Sequence, residues 1–141
     1  MSFIKDIGER DLLETAKQAM QNAYAPYSSF QVGAALLTKS GKIYTGCNVE
    51  NAAFSPTICA ERGAFAKAIS EGDREFLAIA IVGGKNGKIE TAITPCGVCR
   101  QVMGEFCTPD FKIILADGQE NIQQHTLKEL LPLSFGAGDV T

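Results

Sequence analysis

The chain has a single histidine, His125, so no multi-histidine metal site can be assembled within one subunit. Its apolar stretches are far shorter than the ~20 residues a bilayer-spanning helix needs, so no membrane partner is expected. Lys and Arg form no run, and a formal charge of −3 leaves no broad basic footprint; nucleic acid is not an expected partner either. The opening stretch MSFIKDIGERDLLETAKQAM has neither the apolar core nor the small-residue cleavage site of a secretory leader. A cytoplasmic protein is therefore expected, in a compartment that keeps thiols reduced. Five cysteines is an odd number, and a full disulfide framework would leave one over.

What is present is the make-up of a folded globule. At 141 residues, 45% apolar and 21% charged, the chain can bury a normal core without staples, and residues 1–141 read as a single domain. From Asp11 to Ala23, the residues Leu12, Leu13, Ala16, Ala19 and Met20 recur at helical spacing. FQVGAALLT and KIYTGCNVE, joined by KSG, read as an antiparallel hairpin. SPTICAERGAFAKAISEG reads as a helix with Ser55 as N-cap, Pro56 at its first position and Gly72 just past its end.

FLAIAIVGG and FKIILAD are continuous apolar runs suited to strands buried on both faces. Between them TPCGVCRQVMGEF predicts a helix opening at Thr94-Pro95. Asp117-Gly118 turns the chain into an antiparallel fifth strand, and TLKELLP closes with a short helix. The order predicts an α/β fold: a three-layer α/β/α sandwich with a five-stranded mixed sheet whose last strand is antiparallel.

Three cysteines sit at predicted helix starts: Cys59 on one helix, Cys96 and Cys99 on the next. Unpaired N–H groups and partial positive charge at such places favour thiolate, the form that binds metal. Two strand-helix units in tandem would bring both helix starts to one edge of the sheet, where the sulfurs can converge. Three sulfurs suit zinc: iron–sulfur clusters generally use four cysteines, and copper or non-haem iron sites use histidine. With three protein ligands the zinc keeps an open, catalytic position; a fourth would make it structural. Cys47, Cys107 and His125 are the candidates to close it, although the first two suit buried small hydrophobes and His125 a surface strand.

A lone CxxC would equally suit a dithiol redox protein; the third cysteine and Glu61 tip the balance toward metal. Glu61 is a carboxylate able to take a proton from water and return it to a leaving group, if it reaches the site. Arg62, three residues from Cys59, is placed to donate to the thiolates and offset the negative charge of three sulfurs.

CAE with PCGVC resembles the zinc nucleoside deaminases. APYSSFQVGAALL, GCNVENAAF and CRQV narrow the resemblance to the small cytidine deaminases, from about Ala25 to Phe135. The resemblance implies hydrolytic deamination of cytidine and deoxycytidine to uridine and deoxyuridine in pyrimidine salvage. Zn2+ would be held by Cys59, Cys96 and Cys99, one ion per subunit, with Glu61 as proton shuttle.

It further implies that Phe30 stacks on the base, that Asn48 and Glu50 hydrogen-bond the ribose 3′-hydroxyl, and that Ala60 presents backbone to the ring. It implies a homotetramer with shared sites, in which Ala52, Phe54 and Phe135 match the positions borrowed by a neighbour. The resemblance leads one to expect tyrosine at the place of Phe54 in many relatives, so by that comparison this chain lacks one hydroxyl there. Competing readings are a deaminase of another cytosine-bearing molecule such as blasticidin S, a structural-zinc module closed by His125, and the dithiol redox protein.

Overall fold

Alternation along the central strands sorts the apolar residues into two cores, one on each face of the sheet. In β5 (Phe76–Lys85), Ile79 and Ile81 face one core while Ala78, Ala80 and Val82 face the other. β6 (Lys112–Ala116) repeats the pattern with Ile113 and Leu115 against Ile114 and Ala116. This two-sided burial is why both segments are continuous apolar runs in the sequence.

The computed structural model describes residues 2–141. A small hairpin of β1 (Ser2–Ile4) and β2 (Ile7–Gly8) precedes α1 (Glu9–Met20). β3 (Phe30–Thr38) and β4 (Ile43–Cys47) form the expected antiparallel hairpin, in register Leu36↔Tyr44. Then follow α2 (Ala60–Ser70), β5, α3 (Gly97–Phe106), β6, β7 (Ile122–Thr126), α4 (Leu127–Leu130) and a 3-10 turn (Ala137–Asp139). The five-stranded sheet has the order β4-β3-β5-β6-β7. Only β5 and β6 are parallel neighbours, and β7 closes the edge antiparallel to β6, as expected.

α1 covers one face through Leu12, Leu13, Ala16 and Met20. α2, α3 and α4 cover the other through Ala64, Phe65, Met103 and Leu127, with Phe111 from the loop before β6. Each fully buried Leu, Ile or Phe contributes about 1.5–3 kcal/mol, so both layers are strongly held. Two glycines set how closely the helices approach. A Cβ on Gly33 would lie 2.0 Å from the Ala16 carbonyl oxygen of α1. One on Gly46 would lie 2.2 Å from the Ala60 carbonyl oxygen of α2. No side chain larger than hydrogen fits at either contact.

Two helix starts differ from expectation. α2 begins at Ala60 rather than Pro56, and α3 at Gly97 rather than Pro95. Ile58 exchanges two backbone hydrogen bonds with Val49, both of 2.9 Å, and this rung keeps the chain extended up to Cys59. The N-caps are therefore Cys59 and Cys96, not serine or threonine. Gly72 does follow the end of α2, in the left-handed conformation at φ 100°.

Candidate active site

β4, β5 and β6 run in the same direction, because β3 is antiparallel to both β4 and β5. The crossovers β4–α2–β5 and β5–α3–β6 pack on the same face, so α2 and α3 begin at the same edge of the sheet. That edge carries Cys59 and Cys96 as the two N-caps, with Cys99 in the first turn of α3. Neither cap side chain bonds the helix end, which leaves the sulfurs available.

The three sulfurs lie within 4.8 Å of one another, and Cys59 Sγ is 3.7 Å from Cys96 Sγ. Two Zn–S bonds of about 2.3 Å at a tetrahedral angle set their sulfurs about 3.8 Å apart, so the spacing fits zinc. All five cysteines are free thiols in the structure. The donor chemistry agrees. Sulfurs packed this closely cannot all be ionised without a cation among them: the Cys99 thiol donates to Cys59 and draws it down to about 5. Cys99 is itself pushed far up by that bond and by burial. Cys99 is buried, Cys59 half-buried and Cys96 exposed, so solvent reaches the cluster on the Cys96 side.

Among the described residues the cluster holds these three ligands alone. His125 lies on the edge strand β7, opposite Ile113 and hydrogen-bonded to Gln123 at 3.0 Å. Cys47 ends β4, and Cys107 caps α3 where burial pushes its thiol up to about 12, the behaviour of a small hydrophobe. Among the described residues, then, none joins these three sulfurs as a fourth ligand.

Glu61 stands in the first turn of α2 and is only 4% exposed. Burial pushes its carboxyl above the usual range, the Cys59 charge adds to this, and the Cys99 thiol and Arg62 partly oppose it. Arg62 donates through Nη2 to Cys59 Sγ and to the Thr57 carbonyl, each at 3.4 Å. Its Nε is buried without a partner.

A second group lies on β3 and the segment after β4. The Asn48 amide oxygen accepts from Val32 N–H and its nitrogen donates to the Phe30 carbonyl, both at 2.8 Å. One amide hydrogen remains for a ligand. Glu50 accepts from the backbone N–H groups of Tyr27 and Ser28 at 2.9 and 3.1 Å, and from the Ser28 hydroxyl. These bonds, led by that hydroxyl, hold its carboxyl below the usual range.

Phe30 stands at the start of β3 with 37% of its surface exposed. Ala60 opens α2, where the first N–H groups have no partner inside the helix. The rung between Val49 and Ile58 joins the two groups: Val49 lies between Asn48 and Glu50, and Ile58 precedes Cys59.

Ala52, Phe54 and Phe135 are not drawn into either group. All three are exposed, Phe54 by 70% and Phe135 by 62%. Phe54 meets Tyr27 edge-on with ring centroids 6.0 Å apart, and the Phe135 carbonyl accepts from Gln101 Nε2 at 2.9 Å. Two residues that sequence reasoning did not single out also matter. Ser28 organises Glu50, and Arg100 ties the loop before Cys96 to the end of α4, through the Pro95 and Leu130 carbonyls at 2.7 Å each. An arginine in the opening turns of a helix opposes the helix dipole, and that was the available signal for Arg100.

Three convergent sulfurs at paired helix starts, open on one side and flanked by a buried carboxylate, define in class a zinc-dependent hydrolase. Residues 8–115 match the family described as Cytidine and deoxycytidylate deaminase zinc-binding region. The chain is 50% identical over 129 residues to the cytidine deaminase of Halalkalibacterium halodurans, covering 92% of this chain and 95% of that one. It is 46% identical over 130 residues to that of Sporosarcina psychrophila, covering 92% and 93%. The crystal structure of cytidine deaminase from Burkholderia pseudomallei superposes with a TM-score of 0.84 at 46% identity, over 92% of this chain and 100% of that one. The chain belongs to the zinc-binding cytidine and deoxycytidylate deaminase family.

Proposed function

We propose that the protein hydrolyses cytidine and deoxycytidine to uridine and deoxyuridine, releasing ammonia. The observation that carries this reading is the convergence of Cys59, Cys96 and Cys99 beside the buried Glu61. Those three cysteines would hold the zinc, which when bound acts as a Lewis acid that lowers the pKa of a coordinated water.

Glu61 manages the protons. Its carboxylate takes one from the water as the water oxygen bonds C4 of the pyrimidine, and delivers it to the ring nitrogen. It then takes the remaining proton from the new C4 hydroxyl and passes it to the amino group, so that ammonia leaves as the C4–N bond breaks and the C4 oxygen becomes the carbonyl. Burial of Glu61 suits a group that must both accept and give a proton near neutral pH. Phe30 stacks on the base, the free amide hydrogen of Asn48 and the Glu50 carboxylate bind the sugar hydroxyl, and the start of α2 at Ala60 offers backbone N–H to the ring.

Glu61→Gln tests the assignment. Zinc content and thermal unfolding should match wild type while kcat falls by about 10²–10⁴-fold, read from ultraviolet absorbance. Retained turnover would remove Glu61 from the mechanism. A panel of cytidine, deoxycytidine, cytosine, CMP and blasticidin S should show preference for the two nucleosides; preference for the base or nucleotide would contradict the sugar roles of Asn48 and Glu50.

Exposure of Phe54 and Phe135 supports assembly into a homotetramer in which a neighbour completes each site, since aromatic surface left in water is costly. Light scattering should give four times the 15.1 kDa mass of the chain, and a stable monomer with full activity would refute the shared site. The reduced thiols of the cluster suit work in the cytoplasm.

A further inference from the structure

The loop between α1 and β3 carries a side-chain arrangement that the deamination chemistry does not itself require. Ser28 Oγ donates to Glu50 Oε2 and, from the other side, accepts from the Phe30 N–H at 2.9 Å. Its own N–H also donates to Glu50 at 3.1 Å. One serine thus grips the carboxylate twice and the aromatic residue once.

The backbone around it is unusual. Ser29 takes the left-handed conformation at φ 61°, which a residue with a side chain adopts only when its surroundings impose it. Its N–H is held by the Ala25 carbonyl at 3.0 Å and its carbonyl by the Asn86 N–H at 2.6 Å. The turn is therefore fixed at both ends, and the Ser28 hydroxyl bridges its two functional edges.

We propose that Ser28 is a positioning residue for sugar recognition: its hydroxyl holds the Glu50 carboxylate in a fixed relation to Phe30, so that the acceptor for the sugar hydroxyl and the base platform are presented together. The proposal rests on the reading of Glu50 as the acceptor for the ribose 3′-hydroxyl. A hydroxyl can donate once and accept from another group at the same time, and both capacities are used here. Removing it, as in Ser28→Ala, leaves Glu50 on two backbone donors and the Phe30 N–H without its partner. The carboxylate can then swing, while zinc site and proton shuttle stay as they are.

The test compares cytidine with 3′-deoxycytidine, which lacks the hydroxyl that Glu50 would accept. Wild type should favour cytidine in kcat/KM by about 10-fold or more, the usual worth of a hydrogen bond to a charged group. In Ser28→Ala the cytidine preference should shrink at least several-fold, through a raised KM for cytidine with kcat largely kept. Ser28→Thr, which restores a hydroxyl, should recover the preference.

Equal losses on both substrates, or loss of kcat alone, would mean that Ser28 only stiffens the fold, and would overturn the proposal. So would a preference unchanged in Ser28→Ala. A wild-type enzyme that does not distinguish the two nucleosides would instead refute the role of Glu50, and the proposal with it. Zinc content and thermal midpoint, measured on each variant, separate these outcomes from misfolding.

Discussion

Arg62 holds one guanidinium nitrogen 3.4 Å from Cys59 Sγ and the same distance from the Thr57 carbonyl. Three thiolates around a divalent cation leave one negative charge in excess, and a fixed cation touching one sulfur offsets it. Arg62→Ala should weaken zinc affinity by about 10–100-fold, as loss of a group bonded to a metal ligand generally does. Competition with a chromophoric chelator measures this directly, and unchanged affinity would end the assignment. Arg62→Lys, which keeps the positive charge but not the guanidinium's delocalised, fixed donor geometry, should recover only part of the effect. This contact was legible in the sequence, since it follows from a spacing of three residues. The partners of Asn48 were not: Phe30 and Val32 come from a strand 18 and 16 residues away, and no local pattern announces them.

Elements, in turn, place these residues through close backbone contacts. Gly46 on β4 lets α2 lie against the sheet, and a Cβ there would meet the Ala60 carbonyl oxygen at 2.2 Å and the Ala64 nitrogen at 2.7 Å. Both are backbone atoms, so the helix itself must shift. Gly46→Ala should therefore destabilise the fold by about 1–3 kcal/mol and lower zinc content, because the displaced helix carries Cys59 at its N-cap. Gly138→Ala, with nothing within 4 Å of the added carbon, is the matched control and should change neither. Denaturant unfolding and metal analysis on the two variants decide the matter.

The strands and central helices were legible because burial on one or both faces writes a period into the sequence. The start of α2 was not, since Ser55-Pro56 imitates a cap while the backbone rung between Val49 and Ile58 overrides it. The β1–β2 hairpin was hidden for another reason: its turn uses Lys5 and Asp6 at φ 47° and 62°, without the Asn-Gly or Asp-Gly that usually marks such a turn.

At the scale of the whole molecule, several connections are held by carboxylates that folding makes more acidic. Glu50 accepts from Ser28 and Tyr27, Asp110 from Thr108, Asp117 from Asn121 and Gln119, and Glu129 from Thr126; each carboxyl is held below its usual value. A carboxyl depressed by folding stabilises the native state above its unfolded value, here 3.8 for Asp and 4.5 for Glu, and loses that contribution as pH falls through the folded value. The thermal midpoint should accordingly be flat near neutrality and drop progressively below about pH 4.5.

Zinc release acts in the same direction, because acid protonates the thiolates. Glu129→Gln isolates the share of one carboxylate. In the N-terminal box of α4 the Glu129 carboxylate accepts from Thr126 N–H at 2.9 Å, and glutamine can make the same bond without titrating. The variant should keep zinc, lie slightly below wild type at pH 7, and show a shallower decline between pH 5 and 3, as seen by calorimetry. A decline as steep as that of wild type would show that the Glu129 carboxylate contributes nothing to acid unfolding.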